Sequence, residues 1–284
     1  MTRSGIATLT LASLAIAAFA GNSLLARAAL ADGAMGAGAF SAIRLTAGAL
    51  VLLPMIGRRP VRADWPGALA LAAYVAAFSF AYLGIAAGSG ALILFAAVQV
   101  TILLVGTARG EALTLPAWIG LGLAMTGLVL LLAPGGEAVD PLAAALMAVA
   151  GIAWGAYTLI GRGSGDATGR TARSFLLAAP FMLPLLWWDW ESGAVPLAAS
   201  RNGVLLAVAS GAVASGLGYI VWYMVIPRLG LASVASVQLA TPVVAALGGV
   251  LLLSEPLGWR LLGGGGLILV GIVLTLAKPR SPSD

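Results

Sequence analysis

Few side chains in this sequence could do chemistry, and their types point to binding rather than covalent catalysis. Tyr74, Phe78 and Tyr82 are spaced i, i+4, i+8, which on a helix makes one continuous aromatic stripe. Phe95 and Gln99 lie one turn apart, as do Ser215 and Tyr219, and Trp154 and Tyr157 are spaced i, i+3. Gln238 and Thr241 interrupt another apolar run, together with Pro242. Rings mixed with neutral hydrogen-bonding groups can hold an apolar body and orient a polar head. For each residue the alternative is packing against a neighbouring helix, its polar atom satisfied by a backbone carbonyl. Pro242 is a candidate hinge: it removes a helix hydrogen bond, tolerable only where protein or a wet cavity covers the freed carbonyl. Asn22 is a weaker candidate, placed outward of the centre of its run.

What is missing narrows the chemistry further. The chain has no cysteine and no histidine, which excludes disulfides and thiolate or imidazole metal sites. No Asp or Glu lies in the core of an apolar run, so no acid–base pair, metal set or buried proton relay is visible. No enzymatic activity, cofactor or metal is expected. Arg44 is the basic residue set inside an apolar run. There, exposure to lipid would cost roughly 2.5–3.5 kcal/mol. It should face the protein interior or reach back to the interface, either attracting a substrate carboxylate or serving structure.

The elements that must position these groups are membrane spans. The 284 residues are 61 % hydrophobic and 9 % charged with mean hydropathy +1.05, where a soluble domain carries about 25 % charged residues. Apolar runs of transmembrane length follow one another without alternation, which specifies a polytopic α-helical membrane protein rather than a barrel. They fall at about 4–31, 36–56, 66–86, 89–108, 116–133, 141–160, 172–190, 203–226, 230–253 and 258–277, ten in all. Ala18-Phe19-Ala20 could read as a signal-peptide cleavage site, but the apolar run continues well past it, and it is read as part of a first helix. Helix-start signals stand at Asp64-Trp65-Pro66, Thr114-Leu115-Pro116, Asp140-Pro141 and Ser254-Glu255-Pro256. The 38 glycines suit close helix approach in lipid.

Ten spans put both termini on one side. With the N-terminus inside, eleven basic residues are cytoplasmic and three, Arg27, Arg201 and Arg260, are outside, as the positive-inside rule requires. The formal charge of +5 is scattered over short loops and reports topology, not nucleic-acid binding. Trp65, Trp118, Trp187, Trp188, Trp190, Trp222 and Trp259 fall near span ends and read as an interfacial belt, with Trp154 deeper.

The chain also repeats. Glu111 and Glu255 are 144 residues apart, and so are Gly127-Leu-Val-Leu-Leu-Leu-Ala133 and Gly271-Ile-Val-Leu-Thr-Leu-Ala277. Two five-helix halves, 1–134 and 135–284, fit this spacing. Five is odd, so the second half runs opposite to the first across the membrane, with a central cavity between them. The expected fold is therefore all-α membrane, ten transmembrane helices in two inverted five-helix repeats.

These features resemble the EamA family of the drug/metabolite transporter superfamily. The resemblance rests on the span count, Arg109-Gly110-Glu111, Ser254-Glu255-Pro256-Leu257, Ala42-Ile43-Arg44-Leu45 and Thr241-Pro242-Val243-Val244. Gln99-Val100-Thr101 stands where a proline would match the pattern. The resemblance implies export of amino acids and other small metabolites, with the branch of aromatic amino-acid exporters the nearest likeness. It implies a bacterial inner-membrane location with both termini cytoplasmic, amino acids and the lipid bilayer as partners, no nucleic acid, and action as a monomer. A cavity of aromatic rings without acids also suits efflux of aromatic cations or drugs. A third reading is a membrane scaffold without flux, its partner face marked by the run Gly263 to Gly266.

Overall fold

Apolar segments that lie in lipid must satisfy their backbone groups internally, and helices do so within one segment. In a computed structural model the described residues are 3–31, 33, 35–57, 61–108, 110, 114–133, 139–161, 166–193, 201–225, 238 and 240–275. Among them all regular structure is helical. The helices are α1 (Arg3–Leu30), α2 (Ala37–Leu52), α3 (Trp65–Ala81), α4 (Ala87–Ala108), α5 (Leu115–Leu132) and α6 (Pro141–Gly161). There follow α7 (Ala167–Ala178), α8 (Leu183–Glu191), α9 (Arg201–Val208), α10 (Gly218–Val225), α11 (Ala240–Leu253) and α12 (Trp259–Thr275). A tight turn, Ala179–Met182, joins α7 to α8, and a π-helical stretch, Ala209–Leu217, makes α9 and α10 continuous.

Among the described residues, six helical stretches are long and apolar enough to cross a membrane: Ala7–Leu30, Ala37–Met55, Ala87–Ala108, Leu115–Leu132, Pro141–Gly161 and Arg201–Val225. Helices α11 and α12 are apolar and shorter. The protein is an all-helical, multi-pass membrane protein. Residues 230–237 and 239 of the expected ninth span, with Ser233 and Ser236, lie outside the described residues, as does Glu111.

Three of the four helix-start signals open helices. Pro66 and Pro116 sit in the first turns of α3 and α5, and Pro141 is the first residue of α6. Thr114 Oγ1 accepts from Ala117 N at 3.4 Å and Asp140 Oδ1 from Leu142 N at 3.0 Å, each satisfying a donor the helix leaves unpaired. The fourth signal does not. Ser254 takes a left-handed φ of 53°, α12 starts only at Trp259, and the Glu255 carboxylate turns away to cap α4 instead. The tryptophan belt also needs one correction. Trp65, Trp118, Trp187, Trp188, Trp190 and Trp259 are exposed, but Trp222 is buried at 3 % because its ring packs on Phe19, 5.5 Å between centroids.

Glycines set the helix spacing. A Cβ at Gly127 would lie 2.5 Å from Gly264 O, and one at Gly271 would lie 2.5 Å from Gly120 O, so α5 and α12 touch backbone to backbone. Arg260, in the first turn of α12, donates to Ala133 O at the end of α5, which makes the pair antiparallel. Within the run Gly263 to Gly266, Gly264 therefore faces α5 and Gly265 meets Leu92 of α4. Around this pair, α6 packs on α3 and α4, α1 packs on 201–225 and α11, and α2 packs on α8 and the π-helical stretch.

Candidate functional site

The aromatic residues of four helices meet in one cluster. Trp154 of α6 is its centre, with ring centroids 5.1 Å from Tyr74, 4.9 Å from Tyr219, 5.5 Å from Tyr157 and 6.1 Å from Phe19. The stripe on α3 continues it, Tyr74 to Phe78 at 5.3 Å and Phe78 to Tyr82 at 4.7 Å. These are the offset and edge-on separations that aromatic pairs prefer. The rings surround a cavity of ≈ 20 Å³ lined by Tyr74, Phe78, Phe95, Trp154, Tyr219 and Phe19, with Ala91, Leu94, Asn22 and Ser23. A single water needs about 10–15 Å³ measured this way. The site is thus collapsed on itself, and a metabolite enters only when the rings move apart.

One side of the cavity is polar. Asn22 Oδ1 accepts from Ser210 Oγ at 2.8 Å and from Ser215 Oγ at 3.1 Å. Ser215 Oγ in turn accepts from Arg44 Nε at 3.1 Å, and Arg44 Nη2 donates to Tyr74 OH at 3.2 Å. The Arg44 guanidinium lies 5.2 Å from the Tyr74 ring centroid and 4.7 Å from that of Phe78, in cation–π contact with two rings of the cavity wall. Arg44 is wholly buried and its Nη1 has no hydrogen-bond partner. Close helix approach puts it there: a Cβ at Gly211 would fall 2.1 Å from Arg44 O. The π-helical stretch bears Ser210, Gly211 and Ser215 on its buried face. Such π-helical turns are found frequently at functional sites.

Of the residues singled out from the sequence, Tyr74, Phe78, Phe95, Trp154 and Tyr219 line the cavity. Ser215 reaches it through Asn22. Tyr82 extends the stripe and donates to Ala87 O at 3.3 Å, and Tyr157 donates to Thr171 Oγ1 at 3.4 Å. Gln99 and Gln238 are half-buried and outside the lining. Thr241 is fully buried with Oγ1 unpaired, also outside the lining. Pro242 is buried in α11, also outside the lining.

Both ends of the bundle are tied shut by arginine. At one, Arg173 Nε donates to Asp64 Oδ2 at 3.0 Å, and its Nη1 donates to Asp166 Oδ2 at 3.1 Å and Ile56 O at 3.0 Å. At the other, Arg27 donates to Glu255 Oε1 at 3.2 Å and to Tyr82 O at 3.0 Å, while Ala87 N donates to both oxygens of Glu255 at 3.0 Å. Beside Glu255 lies a second cavity of ≈ 230 Å³, reaching Ser89, Ala246 and Arg260.

A collapsed central site between two closures is an arrangement for passage rather than reaction, and comparison with known proteins agrees. The profile of the EamA-like transporter family matches residues 141–277. A protein of Pseudomonas aeruginosa, itself uncharacterized, is 50 % identical over 244 residues, covering 84 % of this chain and 83 % of its own length. The chain belongs to the EamA-like transporter family. This EamA protein is a membrane transporter and not an enzyme. A probable terminal-alkyne amino-acid exporter of Streptantibioticus cattleyicolor is 28 % identical over 263 residues, 86 % of each chain. An uncharacterized transporter of Archaeoglobus fulgidus is 25 % identical over 245 residues, 84 % of this chain and 86 % of its own. One solved crystal structure superposes with TM-score 0.65 at 18 % identity over 93 % of this chain and 95 % of that one, a likeness of fold alone.

The transporter's cavity also takes residues from α1, of which the sequence offers Asn22 as a weaker candidate and neither Phe19 nor Ser23. Phe19 stands within the triplet that resembles a cleavage site, yet its ring contacts Trp154, Tyr219 and Trp222. Asn22 and Ser23 are buried at 2 % and 4 % on the same helix. The available signal was their i, i+3, i+4 spacing, which puts all three on one face of α1.

Proposed function

We propose that this EamA transporter exports amino acids, aromatic or otherwise apolar ones among them, and related small metabolites by alternating access. The observation that carries the reading is the aromatic cavity with a polar wall between two separate closures. Its rings suit an apolar side chain, and Asn22 and Ser23, backed by Ser215 and Arg44, offer hydrogen bonds to a polar head. The name of the Streptantibioticus cattleyicolor relative, a probable terminal-alkyne amino-acid exporter, leans the same way.

The transport cycle in this proposal uses ten spans in two inverted halves, 1–134 and 135–284. The packing of α5 and α12 supports it. Gly127 meets Gly264 and Gly120 meets Gly271, and each residue in one pair is 144 positions from one in the other. Equivalent segments meeting antiparallel, with the same contact made twice, are what a two-fold axis in the membrane plane produces. The larger pattern is consistent with it: α3 lies on α6 as 201–225 lies on α1, and α4 lies on α6 as α11 lies on α1. The family match begins at residue 141, near the start of the second half. The charge asymmetry supports an orientation with the Arg173 end toward the cytoplasm, the Arg27 end outward, and both termini on the cytoplasmic side of a bacterial inner membrane. A monomeric unit is part of this proposal, supported by Gly264 packing on α5 and Gly265 on α4 within the chain.

Reconstitution in liposomes tests this. Protein-dependent flux of one or more labelled amino acids from a broad panel is the expected outcome. Flux of lipophilic aromatic cations with none of amino acids would favour drug efflux, and no flux at all would leave a scaffold.

A further inference from the structure

We infer that the central cavity selects ligands carrying a carboxylate, and that Arg44, one side chain behind its wall, supplies the selecting charge. The inference rests on the export reading above and names its substrate class. Arg44 is 0 % exposed, and a guanidinium stays charged at any physiological pH. The groups around it are all neutral: the Ser215 and Tyr74 hydroxyls, the neighbouring Tyr219 and two ring faces. Among the described residues every arginine–carboxylate pair involves Arg27 or Arg173, none Arg44. Nη1 is left without a partner. Nature tolerates a buried charge where it is paired, and this one is not.

The charge sits one side chain from the cavity. Tyr74 and Phe78, whose rings it touches, line the cavity, as does Asn22, reached through Ser215. A cation placed among those rings would be attracted by their faces but would meet a like charge behind them, across a medium that screens poorly. An anion would find a partner for Nη1 and supply the missing counter-charge. For a zwitterionic amino acid the geometry fixes orientation: carboxylate toward Arg44 and Asn22, side chain among Trp154, Phe95 and Phe19. Arg44 thus selects a carboxylate, where electron-rich rings alone would select cations.

The test uses three probes of one shape: L-phenylalanine, 3-phenylpropionate, which lacks the amine, and phenethylamine, which lacks the carboxylate. Each is measured for flux in proteoliposomes and for thermal stabilisation of the detergent-purified protein. The expected order is phenylalanine and phenylpropionate ahead of phenethylamine by on the order of tenfold or more. Arg44→Lys keeps the order, and Arg44→Gln abolishes it by weakening the two acids and admitting the amine. Should Arg44→Gln fail to fold, the wild-type order and Arg44→Lys decide. Phenethylamine equal to or better than the acids in the wild type would overturn the inference, as would an unchanged order in a folded Arg44→Gln protein. If no amino acid moves but phenylpropionate stabilises the protein and phenethylamine does not, export fails while carboxylate selection stands. No flux and no stabilisation by any probe would overturn both.

Discussion

The two ends of this transporter are closed by the same kind of contact in very different surroundings. The side chains of Arg173 and Asp64 are 1 % and 2 % exposed, and Val61 N adds a 2.9 Å bond to the carboxylate. Arg170 reinforces them by donating to Ile160 O at 2.7 Å and Ala63 O at 3.2 Å, tying the α2–α3 connection to α6 and α7. At the opposite end the side chains of Arg27 and Glu255 are 22 % and 12 % exposed, beside a cavity of ≈ 230 Å³. That space has room for several waters. Asp166 is half-exposed, but separating Arg173 from Asp64 strands two buried charges, whereas Arg27 and Glu255 can part into water. In this conformation the Arg27 end is the lighter closure and the Arg173 end the fixed one.

The largest break in that contrast should come from Arg173→Gln. It leaves Asp64 buried and unpaired, a change that costs about 3–5 kcal/mol. The apparent Tm in detergent should fall by about 10 °C. A fall no greater than that of Glu255→Gln would remove the asymmetry. Because the sequence has no cysteine, single-cysteine variants report accessibility cleanly. Ala246→Cys, on the larger cavity, should react with a water-soluble maleimide at least about tenfold faster than Ser174→Cys, whose site is 0 % exposed next to Arg173. Equal rates would mean that the two closures breathe alike.

How much of this could be read from the chain depends on the range of the interaction. Helix positions follow from hydropathy, because lipid leaves the backbone no alternative, and the Tyr74–Phe78 stripe follows from the helical period. Gly127 and Gly271, 144 residues apart in matching sequence runs, both lie in the α5–α12 contact. Glu255 shows the limit. Its Ser-Glu-Pro context reads as a local helix start, but its carboxylate is taken by Ala87 N, 168 residues away, and by Arg27, 228 away. Local propensity carries no record of a cap supplied from a distance. Phe19, Ser23 and Trp222 are obscured for a related reason: depth within a span gives no rotation about the helix axis until a packing partner is known. The long, apolar α1 offered no contrast between its faces by which to orient it.

Glu255→Gln probes the lighter closure. The amide oxygen still accepts from Ala87 N, so the α4 cap survives while the ion pair with Arg27 is lost. A partly exposed pair beside a cavity with room for water is worth about 1 kcal/mol or less, so Tm should move by only a few degrees. Labelling of Ala246→Cys should nevertheless rise several-fold, since a small loss of stability concentrated in one contact shifts the open population there. A large drop in Tm would show the pair to be as structural as the one at Arg173.

Arg27→Lys should have the smallest effect and draws the finest distinction. Arg27 donates to one carboxylate and to two carbonyls, Tyr82 O at 3.0 Å and Leu83 O at 3.4 Å. An ammonium keeps the charge but cannot span those acceptors from one planar fork. If charge is what holds this end, labelling of Ala246→Cys should rise no more than about twofold and stability change by less than about 0.5 kcal/mol. If the lysine variant opens as far as Glu255→Gln, the closure is a carbonyl clamp on the α3–α4 turn rather than an ion pair. The contrast between the two ends would then be one of hydrogen-bond geometry and not of buried charge.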